Sequence, residues 1–406
     1  MHIAMFLDQH PRSLGGIQTS AMLQRKYLEK LGHKVTFVTP SSGKRLIERG
    51  FFTLPSWPLT YNWEYSFVAN ARRSRKRLDR SQRRRVDKFD LVHVQADMWG
   101  AIIGIGFAQR NHLPVVMTSH FNLAAGTQEV IGKYPSKFLF WLLSREFLKH
   151  LKLPLRDTTT DAWRYIQLIT NQVDVVLVPS GHFGRDLKAN GVTSELRVMH
   201  NGVDDERIDS TLASIKDQPN HTDKKIHLIW AGRFQHEKRL LEFINAVHQA
   251  KLENVVVDVY GRGPLWKKTE ELIKHYNLEK QVVLHGMAPH ARMLAHFAKA
   301  DALVQTSVGF ETQGMTVFEA AAVGTPSILC DKNIAEEFEP GAHWTVEDDS
   351  VEALANSLNR AVADIRAGDN RGNLLIGDEL LLQSGLTKRT VAIYDELLTK
   401  GGKYTR

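Results

Sequence analysis

The feature that most constrains this chain is a repeated unit: a short apolar run, a polar or glycine-bearing loop, then a stretch with helical periodicity. Residues 3–7, 35–38, 91–94, 115–118 and 173–178 form one series of such runs, and residues 226–230, 255–260, 282–284, 302–305 and 327–329 form a second. Runs that stay apolar instead of alternating belong to strands buried on both faces, the condition of a parallel sheet covered by helices. Strand and helix in regular succession predict an α/β chain with doubly wound parallel sheets. Residues 199–224 lose the apolar periodicity and gain Asn, Asp and Gly, which reads as an interdomain connection. Two sheets imply two domains, and 406 residues are more than one core normally organises.

The most chemical of these units is Val308-Gly-Phe-Glu-Thr-Gln-Gly-Met-Thr-Val-Phe-Glu-Ala-Ala-Ala-Val-Gly-Thr-Pro326. A strand before it, a loop bracketed by Gly309 and Gly314, and a helix stopped by Gly324 and Pro326 place it where α/β sheets bind ligands. The helix N-terminus, with Met315 and Thr316, offers unpaired N–H groups to an anion. Glu311 and Glu319 lie on either side of that N-terminus, and Glu319 stands between Phe318 and three alanines, apolar company in which a carboxylate asks for a partner. Arg233 and Lys238 follow the strand at 226–230, where a strand hands over to a helix, a position suited to a diphosphate. Taken alone they also suit an ordinary solvated surface. Gly261, in Gly261-Arg-Gly-Pro264, reads either as a plain turn or as a place where backbone approaches a ligand. Two carboxylates also suit a glycosidase, which sets them about 5 to 9.5 Å apart, but the neighbouring cations favour a phosphate leaving group.

Composition narrows the setting. A single cysteine, Cys330, excludes a disulfide framework and suits a reducing cytoplasm. Residues 3–7 read as a first strand, not as a secretory leader, and no apolar run approaches the roughly 18 residues of a membrane span. The net charge of +8 points to an anionic partner. Ten of its basic residues fall between Arg72 and Lys88, against only Asp79 and Asp87. No aromatic residue interrupts that run, which argues against nucleic acid. A helix expected over 133–153 carries Leu139, Phe140, Leu143, Phe147, Leu148 and Leu151 on one side and Arg145, Lys149 and Lys152 on another. Such a helix either packs on a sheet or lies in an anionic membrane interface, and with the 72–88 run beside it the membrane is favoured.

In order along the chain, Gly15-Gly16, Gly-Arg-Phe-Gln-His-Glu-Lys238, Tyr-Gly-Arg-Gly-Pro264, Leu-His-Gly-Met287 and the Glu-x7-Glu segment resemble the retaining nucleotide-sugar glycosyltransferases of family four. The resemblance covers nearly the whole chain. It implies the GT-B fold, two Rossmann-like doubly wound domains facing a central cleft. Domain 1–200 would face the acceptor and membrane, and 201–385 would bind the nucleotide sugar. A helix within 386–406, with Val391, Tyr394, Leu397 and Leu398 on one face, would cross back to the first domain. By position, the resemblance implies that Glu319 holds ribose hydroxyls and that Glu311 approaches the transferred sugar. Arg233 and Lys238 would neutralise the diphosphate, with Gly261, Gly314, Met315 and Thr316 around the nucleotide. Gly16 would present an N–H, and His120, in Thr-Ser-His-Phe121, would stand beside the donor sugar, although its position alone fits a packed histidine equally well.

Ser307-Val-Gly-Phe-Glu-Thr-Gln-Gly-Met-Thr316, Leu-Val-His-Val-Gln95 and Thr-Ser-His-Phe121 resemble the members that glycosylate diacylglycerol-type lipids. The expected reaction is hexose transfer from a UDP-sugar to a membrane lipid on the inner face of the membrane. No metal is expected, because Asp204-Asp205 and Asp348-Asp349 fall in a connection and a surface loop and leave charge neutralisation to Arg233 and Lys238. A soluble or polysaccharide acceptor, a sugar-nucleotide epimerase and a non-catalytic nucleotide-sugar sensor are the alternatives.

Overall fold

Strands buried on both faces leave parallel pairing with helical crossovers as the economical way to satisfy their backbone groups. The computed structural model describes every residue except 12, 14–15, 42–48, 59–65, 69–70, 85, 121–122, 124–126, 128–131, 217–222, 370, 375–378 and 406. The chain divides into two units, Met1–His200 with Leu386–Arg406, and Asn201–Gly385.

The first unit contains β1 (His2–Leu7), α1 (Gly16–Lys30), β2 (Lys34–Pro40), β3 (Phe51–Leu54), the hairpin β4 (Ser56–Pro58) and β5 (Ser66–Val68), α2 (Ala71–Arg84), β6 (Leu91–Gln95) and α3 (Trp99–Asn111). It continues with β7 (Val115–Thr118), α4 (Lys133–Leu151), α5 (Ala162–Thr170), β8 (Val175–Val178), α6 (Gly181–Ala189) and β9 (Leu196–Val198). Its sheet has the order β3-β2-β1-β6-β7-β8-β9 and is parallel throughout.

The second unit contains α7 (Asp205–Ile215), β10 (Ile226–Ala231), α8 (Leu240–Ala250), β11 (Val255–Tyr260), α9 (Trp266–His275), β12 (Val282–Gly286), α10 (His290–Lys299) and β13 (Ala302–Gln305). Then come α11 (Met315–Ala322), β14 (Ser327–Leu329), α12 (Lys332–Ala335), β15 (His343–Thr345) and α13 (Val351–Arg366). Its sheet runs β12-β11-β10-β13-β14-β15, again parallel. In each sheet the strand order reverses beside one strand, β1 in the first and β10 in the second, and the loops that follow the two strands meeting there open a ligand crevice.

Besides the hairpin β4–β5, three strands of the two parallel sheets have no counterpart in the apolar runs: β3, β9 and β15. All three lie at sheet edges and are only partly buried, so their sequences lack the continuous apolar run that marks a central strand. The stretch read as a connection, 199–224, also holds α7, whose Ile208 is buried with Leu294 and Phe297 of α10. Asp205 accepts hydrogen bonds from the Ser384 backbone N–H and hydroxyl, which ties α7 to the end of the unit.

Most of the basic run falls in α2, Arg85 lying outside the described residues; the helix is anchored by buried Ser74, Leu78 and Gln82 at four-residue spacing, with Arg73, Lys76, Arg77, Arg80, Arg83 and Arg84 exposed. The α4 stripe resolves differently from the membrane expectation. Phe140, Leu143, Phe147, Leu148 and Leu151 are buried, and all but Leu148 join one cluster with Ile103, Phe107 and Tyr165, so the stripe is protein core. Any surface that α4 gives to a membrane is its opposite side, which carries Tyr134, Phe138 and Trp141.

The last helix, α14 (Gln383–Lys400), packs Leu386, Ile393, Tyr394 and Leu397 against Ile3, Met5, Phe37 and Leu91 of the first unit. Leu398 is exposed and Ile393 takes the core position, a one-step rotation of the expected face. The Tyr394 hydroxyl is 2.6 Å from His93 Nδ1, and His93 Nε2 is 2.7 Å from Thr118 Oγ1. Burial drives the His93 pKa down to about 3, so the ring is neutral and both nitrogens are used.

Tyr394→Ala should therefore destabilise the first unit by about 3 kcal/mol or more, through the lost ring and the unpaired His93 nitrogen. Urea denaturation followed by near-ultraviolet circular dichroism measures it.

Candidate active site

At the switch point of the second sheet, β10 pairs with β13 through Leu228–Ala302 and Ile229–Leu303, so the loops that follow the two strands lie side by side. The first carries Arg233 and Lys238; the second carries Glu311 and ends at α11. A hydroxyl joins them: Thr306 Oγ1 donates to the Lys238 carbonyl and accepts from Trp230 Nε1 at 2.9 Å. Trp230 is buried, so the tie between the loops is rooted in the core.

Above this tie the Lys238 ammonium forms an ion pair with Glu311 Oε1, both side chains being largely buried. Ser307 Oγ donates to the same carboxylate oxygen at 3.2 Å, and the ammonium stands 5.7 Å from the centre of the Phe310 ring. Arg233 is different. Its side chain is 66% exposed and lies 3.7 Å from Glu237, so its charge is available to a ligand.

Gly314 precedes α11 at φ +79°, a left-handed conformation that glycine adopts without strain, and no acidic residue occupies the first turn. The first N–H groups of that helix, Met315 and Thr316, have no partner within it. The loop is held in place from below: Gln313 is buried and exchanges three hydrogen bonds with Asn201, and the Gly309 N–H donates to Asp331 at 2.8 Å.

Along α11, Val317, Phe318, Ala320 and Ala321 face the core, while Thr316 and Glu319 share the partly exposed face. Glu319 thus escapes the apolar company of its sequence neighbours, because helical periodicity turns it away from them. It accepts a hydrogen bond from His290 Nε2 at 2.7 Å, and Arg207 Nη1 lies 2.6 Å from His290 Nδ1. The hydrogen bond to Glu319 raises the His290 pKa, opposed by burial and by Arg207.

Gly261 lies against protein backbone. A Cβ there would meet the Gly232 carbonyl oxygen at 1.8 Å, and one at Gly263 would meet the Phe234 backbone at 2.6 Å, so both glycines let the loop after β11 lie against the loop of Arg233.

In the first unit, His120 follows β7 and is buried, with Nε2 3.1 Å from Gln95 Oε1, while Gln95 Nε2 donates to Gln24 Oε1 at 2.7 Å. Gly16 is the exposed first residue of α1, with open space where a Cβ would stand. Gly15 lies outside the described residues. Asp8, just past β1, accepts the backbone N–H groups of Asp97, Met98 and Gly100 at 2.7–2.9 Å and so caps α3. Burial and the nearby Asp8 push the Asp97 pKa up to about 8, which keeps that carboxyl protonated at neutral pH.

The structure brings Lys238 to Glu311, places Glu319 on the partly exposed face of the helix that Met315 and Thr316 begin, and gives His120 a glutamine partner. Sequence reasoning missed His290, Arg207 and Asp97. The first two come from other elements, and Asp97 is distinguished only by burial; the one signal was the histidine placed shortly after Leu-His-Gly-Met287.

A family model described as Glycosyltransferase Family 4 matches residues 14–207, and one described as Glycosyl transferases group 1 matches residues 213–371. The chain is 24% identical over 373 residues to an alpha-monoglucosyldiacylglycerol synthase of Streptococcus pneumoniae, covering 88% of this chain and 78% of that protein. It is 22% identical over 416 residues to a protein of the same name from Acholeplasma laidlawii, covering 99% of each. Among solved structures it is similar to a sucrose-phosphate synthase from Thermosynechococcus elongatus, with TM-score 0.71, 18% identity and coverage of 99% of this chain and 100% of the other. It is also similar to Anabaena HepE in complex with UDP, with TM-score 0.69, 15% identity and coverage of 98% and 100%. The tandem family matches and the two switch-point sheets lead to one conclusion: the chain belongs to the family-four glycosyltransferases and is a hexosyltransferase with their GT-B fold.

Proposed function

We propose that the protein is a retaining, metal-independent transferase that moves a hexose from a UDP-sugar to a diacylglycerol-type membrane lipid. It would work as a peripheral protein on the cytoplasmic face of an anionic membrane. The observation that carries the reading is the pairing of Lys238 with Glu311 beside the open amino end of α11. UDP is supported by the nucleotide bound in the Anabaena structure, and the lipid by the names of the two bacterial relatives.

In this reading Glu319 exchanges His290 for the ribose hydroxyls. Arg233, Lys238 and the Met315 and Thr316 N–H groups receive the diphosphate. When the bond from the sugar's anomeric carbon to the phosphate oxygen breaks, the electron pair leaves with the diphosphate, and positive groups already in place stabilise it. They do the work a metal does elsewhere. Asp205 and Asp348 are occupied as hydrogen-bond acceptors for Ser384 and Ser350, which supports a site without a metal. Glu311, oriented by Lys238 and Ser307, faces the hexose. Gly16 and His120 keep the roles that the family resemblance implies, an N–H for phosphate or acceptor and an imidazole for the hexose.

Membrane contact is supported by the outer side of α4. Tyr134, Phe138 and Trp141 are 82%, 64% and 37% exposed at positions i, i+4 and i+7. Phe138 stacks on Trp141 at 5.9 Å, and Arg145 lies 5.3 Å from the Trp141 ring. Exposed aromatic rings beside Lys133, Lys137 and Arg145 suit the headgroup layer.

The direct test is a lipid-extract assay against a panel of labelled nucleotide sugars in the presence of EDTA. A lipid-soluble product from a UDP-hexose is expected; activity that requires added magnesium would sink the metal-free reading, and product only on soluble acceptors would sink the lipid. Lys238→Ala should lower kcat by about 10²–10³, the usual cost of removing one such donor. Glu319→Ala should mainly weaken donor binding, read by titration calorimetry.

Because protonated His290 competes for Glu319, the His290–Glu319 contact is strongest below the ordinary histidine pKa of about 6.5 and fades as pH rises through the raised value. UDP-hexose affinity should therefore increase with pH across that window, and His290→Ala should flatten the profile. In vesicle co-sedimentation, Phe138→Ser with Trp141→Ser should reduce retention on anionic vesicles roughly tenfold.

A further inference from the structure

The first unit contains a strongly cationic cavity that the proposed transfer does not use. It has a volume of about 680 Å³ and lies where α2 crosses the carboxyl ends of α3 and α4. α3 begins after the carboxyl end of β6 and runs back along the sheet, so Arg110 is roughly 16 Å along the helix axis from the loops at the first switch point. The cavity is therefore separate from them.

Its cations are Arg75, Lys76, Arg80 and Arg83 of α2, Arg110 of α3 and Lys152 after α4. Among the described residues Asp79 is the one carboxylate in its wall, and it is already engaged by the Arg110 fork, with contacts of 3.0 and 3.2 Å. Six unit charges face one carboxylate and two helix carboxyl ends worth about half a charge each, which leaves a net of about +4.

The wall registers this field. His150 lies 3.3 Å from Arg110 Nη1, and burial together with Arg110 and Arg75 pushes its pKa down to about 4, so it is a neutral acceptor. Room for its ring comes from Gly106, where a Cβ would meet His150 Cδ2 at 2.2 Å. A like-charged cluster around a roomy cavity, held by a partly buried imidazole and one ion pair, costs stability unless an anion fills it.

We propose that this cavity is a phosphate-binding site, taking either the headgroup phosphate of an anionic lipid or a free phosphate. Guanidinium forks match phosphate oxygens in pairs, and the cavity is large enough for a phosphodiester with its substituents. The site is independent of the glycosyl acceptor; only its lipid source shares the membrane reading above.

The test compares two charge-matched double variants. Arg75→Ala with Arg80→Ala removes two cavity cations, whereas Arg84→Ala with Lys88→Ala removes two exposed cations of the same basic run that do not line the cavity. With the donor site saturated by UDP, inorganic phosphate is titrated calorimetrically and by NMR of the His150 ring. One phosphate per chain and an upward-moving His150 titration are expected in the wild type. Affinity should fall about tenfold or more in the cavity pair, the scale of a lost charge-assisted hydrogen bond, and less than twofold in the outer pair.

Binding to phosphatidylglycerol-containing vesicles that falls in the same order and is competed by phosphate identifies the lipid headgroup as the source. Vesicle binding equal in the two pairs, with phosphate binding still lost only in the cavity pair, identifies free phosphate. Equal phosphate affinity in both pairs, or no one-to-one binding in the wild type, overturns the site. Turnover of a detergent-dispersed acceptor, measured alongside, tests the transfer reaction separately.

Discussion

The parallel pairing of β10 with β13 is the constraint on which the donor-side arrangement depends. β10 is the strand at which the order reverses, so its loop and the loop after β13 diverge to opposite faces of the sheet and leave their first residues adjacent. Everything chemical in the second unit follows from that adjacency. Trp230, buried in β10, reaches Thr306 at the end of β13; Thr306 holds the Lys238 carbonyl; and Lys238 meets Glu311. Each link is a hydrogen bond or ion pair shielded from water, where such contacts are stronger and an unpaired partner is costly. The result is a cation and a carboxylate set in place before any ligand arrives, so little reorganisation is needed when charge develops.

The first unit uses the same sheet rule to a different end. Its central strands carry polar side chains into the interior, and each finds a partner: His93 with Thr118 and Tyr394, and Gln95 with His120 and Gln24. Buried polar groups persist only when paired, so these contacts fix the ring orientations. Tyr394 arrives from the far end of the chain, which makes the last helix part of the same polar network as β6.

Charge is spent unevenly along the chain. The helix α2 carries most of the basic run yet is anchored by only a narrow buried stripe, leaving guanidinium groups to crowd the ends of α3 and α4. α4 is likewise two-sided. Its inward side is ordinary core, and its outward side interleaves aromatic rings with cations. Reading that helix from hydrophobicity alone picks the wrong side, because a packed stripe and a membrane-facing stripe have the same spacing.

The sequence by itself determined the central strands of both sheets, because residues buried on both faces must be apolar without interruption, and it picked out the two loops bearing Arg233, Lys238 and Glu311 and the helix bearing Glu319. Three of the four edge strands, β3, β9 and β15, escaped it, since half-exposed residues carry no such run; β12 was caught because Val282-Val-Leu284 is apolar even at an edge. Strand order was equally hidden, because local patterning does not encode which strands pair. Only the tertiary structure therefore decided that Lys238 meets Glu311, that Glu319 meets His290, and that Gly261 lies against the loop of Arg233. Those are contacts across long separations in sequence, fixed by packing and pairing, which no single stretch of the chain contains.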